Sequence, residues 1–182
     1  MSYEIIETEK VFNGRVFDVR RDQVRLPDGR TARLDIVDHN PAVTLLPLDE
    51  MGRIWFIRQY RHPAAEVLLE LPAGVVETGE EPEKSAGREL QEEIGMSAQT
   101  LEKLGEFYLA PGYSTEYMYL YLATGLSASV LPHDEDEFIE IEQVPVSQAY
   151  RMAYEGRIRD GKTLAALFLA QPRLKGLRGS ET

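Results

Sequence analysis

Residues 74–96 read GVVETGEEPEKSAGRELQEEIGM and hold seven glutamates in 23 positions. A helix over residues 83–94, at about 100° per residue, puts Ala86, Gly87, Leu90 and Ile94 on one flank. Arg88, Glu89, Glu92 and Glu93 fill the adjoining flank. Pro82 suits the first turn and Gly95 the C-terminal end. Glu89 and Glu93 stand at i, i+4, where like charges repel, and a bound cation or a partner arginine relieves that cost. Two readings are open: a solvated acidic face, the commoner fate of helical glutamates, or a cation site. Oxygen donors alone, with no cysteine in the chain and no histidine in the segment, favour Mg²⁺ or Mn²⁺ over zinc.

The rest of the chain narrows the choice. Its 182 residues, 43% hydrophobic and 28% charged, suffice for one globular domain with its own core. A net charge of -11 argues against nucleic acid or an anionic membrane as partner. A phosphate compound is compatible if divalent cations lie between the two negative partners. Without cysteine there is no disulfide and no thiolate chemistry. The N-terminal MSYEIIETEK has no apolar core of a leader, and no apolar run reaches 18 residues. The expectation is a cytoplasmic protein.

Alternation marks strands in residues 14–39, on either side of the turn LPDGR, and in residues 42–61, on either side of DEMGR. Strands return in residues 101–126, split by APGYS, and in FIEIEQVPV at 138–146. VSQAYRMAYEGRI (146–158) and DGKTLAALFLAQPRL (160–174) are helical, the second more apolar. This order predicts a mixed α/β sandwich rather than a parallel doubly wound sheet. The expected division is an N-terminal antiparallel β region over residues 1–40, the main domain over 41–175 and a frayed tail over 176–182.

Gly74, Glu80, Arg88, Glu89, Leu90, Glu92, Glu93, Gly95 and Met96 complete the pattern G-x5-E-x7-R-E-U-x-E-E-x-G-U, with U a bulky apolar residue. From ordinary residue usage, a chance match at one starting point is on the order of one in 10⁹. The segment resembles the signature of the Nudix hydrolases, which use divalent cations to hydrolyse a nucleoside diphosphate linked to another moiety. The resemblance implies a Nudix-type α/β/α sandwich with a mixed sheet, with Mg²⁺ (or Mn²⁺) held on the helix glutamates. It implies Glu89 and Glu93 as principal ligands, the Ala73 carbonyl as a further one, and Glu92 as a third ligand or a partner of Arg88. It makes Glu80 and Arg88 an ion pair that aims the ligands, and gives Gly74 and Gly95 backbone roles.

WFIRQYRHP (55–63), LLELPAGVVETGE (68–80), GKTLAALFLA (161–170) and Pro111, 15 residues past Met96, resemble the ADP-ribose pyrophosphatase subgroup. Pyrophosphatases for GDP-mannose and other sugar nucleotides share several of these motifs. Taken alone, Pro111-Gly112 is a turn, and Arg58 and Arg61 are two charges on one strand. By resemblance Arg61 contacts phosphate or the terminal ribose, with Arg58 beside it in the same strand. Arg33 is a second candidate, contributed in cis or across a homodimer built on the N-terminal strands, and Glu116 takes ribose hydroxyls. HDEDEF (133–138) is by composition a solvated acidic loop. Glutamates bound to Mg²⁺ make poor bases, so a loop carboxylate is needed, and the resemblance points to Glu135, with Glu137 as the alternative or as a further ligand. Tyr117, Tyr119 and Tyr121 line one strand face, and the three histidines lack metal spacing. The implied partner is a small nucleoside diphosphate sugar. The non-enzymatic alternative is a module that senses such a compound, and the intact set of glutamates counts against it.

Overall fold

The computed structural model describes residues 2–132 and 138–177. The turn LPDGR closes the first hairpin. Leu26 N–H donates to the Arg30 carbonyl (2.8 Å) and Gly29 N–H to that of Leu26 (2.9 Å). Gly29 has φ +86°, a conformation side chains disfavour. The turn joins β2 (Phe17–Arg25) to β3 (Thr31–His39), and β1 (Glu4–Asn13) pairs with the other edge of β2. All pairings in this three-stranded sheet are antiparallel. Residues 107–117 belong to the same unit. Val37 bridges Ser114, and His39 N–H donates to Thr115 Oγ1 at 2.9 Å. Every residue of β1 is exposed, including Ile5, Ile6, Val11 and Phe12.

The second unit comprises residues 42–106 and the chain from 118 onward. Its strands are β4 (Ala42–Pro47), β5 (Arg53–Arg61), β6 (Glu66–Glu70), β7 (Ala73–Val75), β8 (Met96–Tyr108), β9 (Tyr117–Ala128) and β10 (Ile139–Pro145). One sheet has the order β10-β5-β6 and is antiparallel. The other, β7-β4-β9-β8, is mixed, because β4 runs parallel to β9 and antiparallel to β7. The helices are α1 (Pro82–Ile94), α2 (Val146–Tyr154) and α3 (Gly161–Ala170).

Strand alternation divides the core. Val43 and Leu45 of β4, with Tyr121 and Ala123 of β9, pack with Ala86, Leu90 and Ile94 of α1. Leu46, Leu120 and Leu122 pack with Ala149 and Met152 of α2 and with Ala166 and Leu167 of α3. Both faces of β4 are therefore covered, and all six of its residues are buried. Each fully buried Leu or Ile side chain here contributes about 1.5–3 kcal/mol. The chain thus forms the expected α/β/α sandwich with a mixed sheet, together with the small antiparallel sheet. Among the described residues no helix is long and apolar enough to cross a membrane.

Candidate active site

Helix α1 begins at Pro82 and stops at Gly95, whose φ of +66° and N–H bond to the Gln91 carbonyl (3.2 Å) make a left-handed cap. The apolar flank predicted from the periodicity is buried at Ala86, Leu90 and Ile94. Two of the glutamates are buried with it: Glu89 is 8% and Glu93 2% exposed. A solvated acidic face does not describe them. Burying carboxylates is costly without compensation, and the local structure supplies part of it.

Arg88 organises the segment. Its Nη1 donates to Glu89 Oε1 and to Glu92 Oε2, both at 2.7 Å. Its Nε and Nη2 donate to Glu80 at 3.2 and 3.1 Å. Nη2 also donates to the Val75 carbonyl (3.1 Å) and to Ser85 Oγ (3.2 Å). One guanidinium thus ties the loop before the helix to the helix and aims two of its carboxylates. The Arg88 hydrogen bond holds the Glu80 carboxyl below its ordinary pKa, against a smaller opposing effect of burial. Burial alone would lower the pKa of Arg88, but Glu80, Glu89 and Glu92 together hold it well above its ordinary value.

Gly74 is required by space. A Cβ there would overlap the Glu89 carboxylate. Ala73, paired with Thr44 of β4, donates its N–H to Glu93 Oε2 at 2.8 Å. The three-residue strand β7 therefore sets its backbone against two carboxylates from successive turns of α1.

Arg61, at the end of β5, makes a two-point contact with Glu70: Nε to Oε1 at 2.8 Å and Nη2 to Oε2 at 2.7 Å. The Glu70 hydrogen bonds raise the Arg61 pKa against burial, and the charges of Glu93 and Asp160 add to the effect. Arg58 is three residues earlier and so on the opposite face of β5, where its Nε donates to Glu142 of β10 at 2.6 Å. The strand does not bring the two arginines together. Arg33 and Glu116 belong to the first unit. Arg33 is exposed on β3, beside Gln23 of β2, and Glu116 N–H donates to Ser114 Oγ at 3.1 Å. Glu135 and Glu137 lie outside the described residues.

Sequence reasoning assigned no role to Glu70 or Lys162. Both are buried, and Lys162 Nζ donates to Glu70 Oε2. The signal was a lone charge within each apolar run, VLLEL at 67–71 and GKTLAALFLA at 161–170.

The donor set suits a hard divalent cation: carboxylate oxygens from Glu89, Glu92 and Glu93, with no thiolate available. The glycine cradle at Gly74, filled by the Glu89 carboxylate, fits the same reading. Among the described residues no group of three or more His, Asp or Glu side chains is already converged on one point. Arg88 draws Glu89 and Glu92 to itself while Glu93 leans on Ala73.

Known proteins are similar to this chain in sequence and fold. Residues 38–167 match the NUDIX domain, and residues 3–33 match the family described as nucleoside diphosphate sugar hydrolase N-terminal domain. An ADP-ribose pyrophosphatase of Bacillus subtilis (strain 168) is 38% identical over 164 residues, 89% of either chain. A methanol dehydrogenase activator of Bacillus methanolicus is similar to the same extent. A crystal structure of an ADP compounds hydrolase superposes with a TM-score of 0.87 at 26% identity, covering 97% of this chain and 96% of that one. The match spans α1 with its arginine-tethered glutamates and the sheets that carry it, so this chain belongs to the NUDIX family and is a Nudix pyrophosphohydrolase.

Proposed function

We propose that this enzyme hydrolyses the pyrophosphate bond of ADP-ribose, giving AMP and ribose 5-phosphate, with Mg²⁺ as cofactor and Mn²⁺ as a substitute. The observation that carries the reading is the pair of buried glutamates, Glu89 and Glu93, set against the backbone of Ala73 and Gly74. The similarity to an ADP-ribose pyrophosphatase supports the choice of sugar nucleotide.

Glu89, Glu93 and Glu92, with the Ala73 carbonyl, would hold the cation. When bound, it neutralises the phosphates and acidifies water. Arg88 and Glu80 hold the glutamates in place. Arg61 binds the diphosphate, for which a planar fork of N–H donors is suited. Arg33, in cis or across the dimer, is a further substrate contact, and Glu116 takes ribose hydroxyls. Glu135 takes the proton from the attacking water, with Glu137 as its alternative. Water adds to one phosphorus, the bridging P–O bond breaks, and the second phosphate leaves.

The protein works in the cytoplasm as a homodimer paired through residues 1–40. The exposed apolar residues of β1 support this pairing, since an open apolar sheet edge invites a second chain.

The test is product identification. Purified protein with Mg²⁺ is offered ADP-ribose, GDP-mannose, UDP-glucose, NADH and diadenosine polyphosphates, and products are resolved by chromatography. Selective release of AMP and ribose 5-phosphate from ADP-ribose is the expected result. Preference for GDP-mannose would keep the chemistry and discard the adenosine assignment. Binding of ADP-ribose without turnover, with Mn²⁺ also tried, would contradict catalysis and point to a sensing module.

A further inference from the structure

The N-terminal turn of α3 builds a second buried charged cluster, outside the glutamate segment. Glu70, the last residue of β6, is 1% exposed, and Lys162 is 8% exposed. Both oxygens of Glu70 are engaged. Oε1 accepts from Arg61 Nε, and Oε2 accepts from Arg61 Nη2 and from Lys162 Nζ. Lys162 Nζ is also 3.0 Å from Asp160 Oδ2. Asp160 caps α3, accepting from Thr163 N at 3.0 Å and Thr163 Oγ1 at 2.5 Å. Thr163 Oγ1 in turn accepts the Leu71 N–H at 2.8 Å. One helical turn therefore grips two consecutive residues, the Glu70 side chain and the Leu71 backbone. These lie immediately before the Pro72-Ala73-Gly74 segment that meets Glu93 and Glu89.

The cluster does more than cap a helix. Two cations and two carboxylates balance, so burial leaves no net charge. A buried ion pair is seldom favoured for stability alone over apolar packing, which directs attention to what the pair holds. It holds Arg61. A lone guanidinium at a strand end has several rotatable bonds, and ordering it on a ligand costs free energy. The two-point contact with Glu70 uses two of its five N–H donors and fixes the plane of the rest. Glu70 can impose that plane only if its own carboxylate is fixed, and Lys162 fixes it. Glu70 stands three residues before Ala73, whose N–H bonds Glu93 Oε2 at 2.8 Å, so the cluster that holds Arg61 adjoins the glutamate segment along the chain.

We propose that Lys162 is a positioning residue for substrate binding: through Glu70 it presets Arg61 to receive the diphosphate. This rests on the reading of Arg61 as a phosphate contact given above. Lys162 touches no substrate itself.

A double-mutant cycle tests it. Wild type, Arg61→Ala, Lys162→Met and the double variant are titrated with the α,β-methylene analogue of whichever sugar nucleotide the product assay selects. A wrong choice of sugar therefore leaves the cycle intact. Circular dichroism checks folding, and if Lys162→Met does not fold, Lys162→Gln takes its place. The expected result is at least tenfold weaker binding for each single variant. The double variant is then within threefold of Arg61→Ala, because a residue acting through Arg61 has nothing left to act on. A merely structural lysine would give losses that multiply. Multiplying losses, or a folded Lys162 variant that binds as wild type, would overturn the positioning role alone. Unchanged binding by Arg61→Ala would overturn the Arg61 contact, and the positioning role with it.

Discussion

Two clusters in the second unit each centre on buried glutamates, Glu89 and Glu93 in one and Glu70 in the other. Around Arg88, three glutamates share one guanidinium, and Glu93 lies one turn further along α1. Around Glu70, two carboxylates meet two cations, Arg61 and Lys162. The first cluster carries an excess of negative charge, which a divalent cation would offset. The second is balanced and behaves as a support. Charge balance, more than burial, separates a group that waits for a ligand from a group that holds other groups in place.

The largest effect that would sharpen this contrast is on turnover. Glu93→Gln keeps an acceptor for the Ala73 N–H but removes a charge. The account expects an activity loss of about 10³-fold, from several kcal/mol of lost cation-mediated stabilisation. Stability should be unchanged or slightly higher, since a repulsion is relieved. Initial rates with ADP-ribose beside a melting curve measure both, and normal activity would remove the glutamate from the site.

The balanced cluster should behave in the opposite way. Glu70→Gln takes a carboxylate from buried Lys162, which keeps Asp160 at 3.0 Å, and from half-exposed Arg61, at a cost of about 3 kcal/mol, read by urea unfolding. A loss under 1 kcal/mol would show that the network is no support. Gly74→Ala is next. Its methyl would displace the Glu89 carboxylate, and misaligning a ligand costs about 10–100-fold in activity or metal affinity. A wild-type rate would mean that the close approach is not needed.

The smallest effect is in pH. The Glu80 carboxyl lies below its ordinary value of 4.5 through its hydrogen bond with Arg88. Its contribution is fully present above that value and is lost as pH falls below it, through the lowered pKa. For a partly exposed pair it amounts to about 0.5–1 kcal/mol. Glu80→Gln should therefore lower stability at pH 7 and flatten its fall between pH 5 and 3. Parallel curves for variant and wild type would remove the pair from the stability account.

Much of this was legible in the sequence, for local reasons. Pro82 and Gly95 bracket α1, apolar spacing sets its buried flank, and LPDGR announces its hairpin. The spacing from Gly74 to Met96 carries the family by itself. Long-range pairings were not legible. Glu70 and Lys162 are 92 residues apart and meet only because β6 and the start of α3 are brought together. APGYS at 110–114 read only as a turn between two strands, and nothing in it announced that residues 107–117 fold with the N-terminal sheet through Val37 and Ser114. The sequence announced strands by alternation only from residue 14 onward, so β1 (Glu4–Asn13) was not read from it. It did not show that β1 is exposed throughout while β4 is buried throughout, because coverage depends on which helices arrive later in the chain.

If the excess charge on α1 serves to hold a divalent cation, removing it must weaken cation binding. Mn²⁺ binding followed by electron paramagnetic resonance, on wild type and on Glu89→Gln/Glu93→Gln, tests it most directly. The account predicts saturable binding by the wild type and at least tenfold weaker binding by the folded double variant. Equal binding by the two proteins would contradict it.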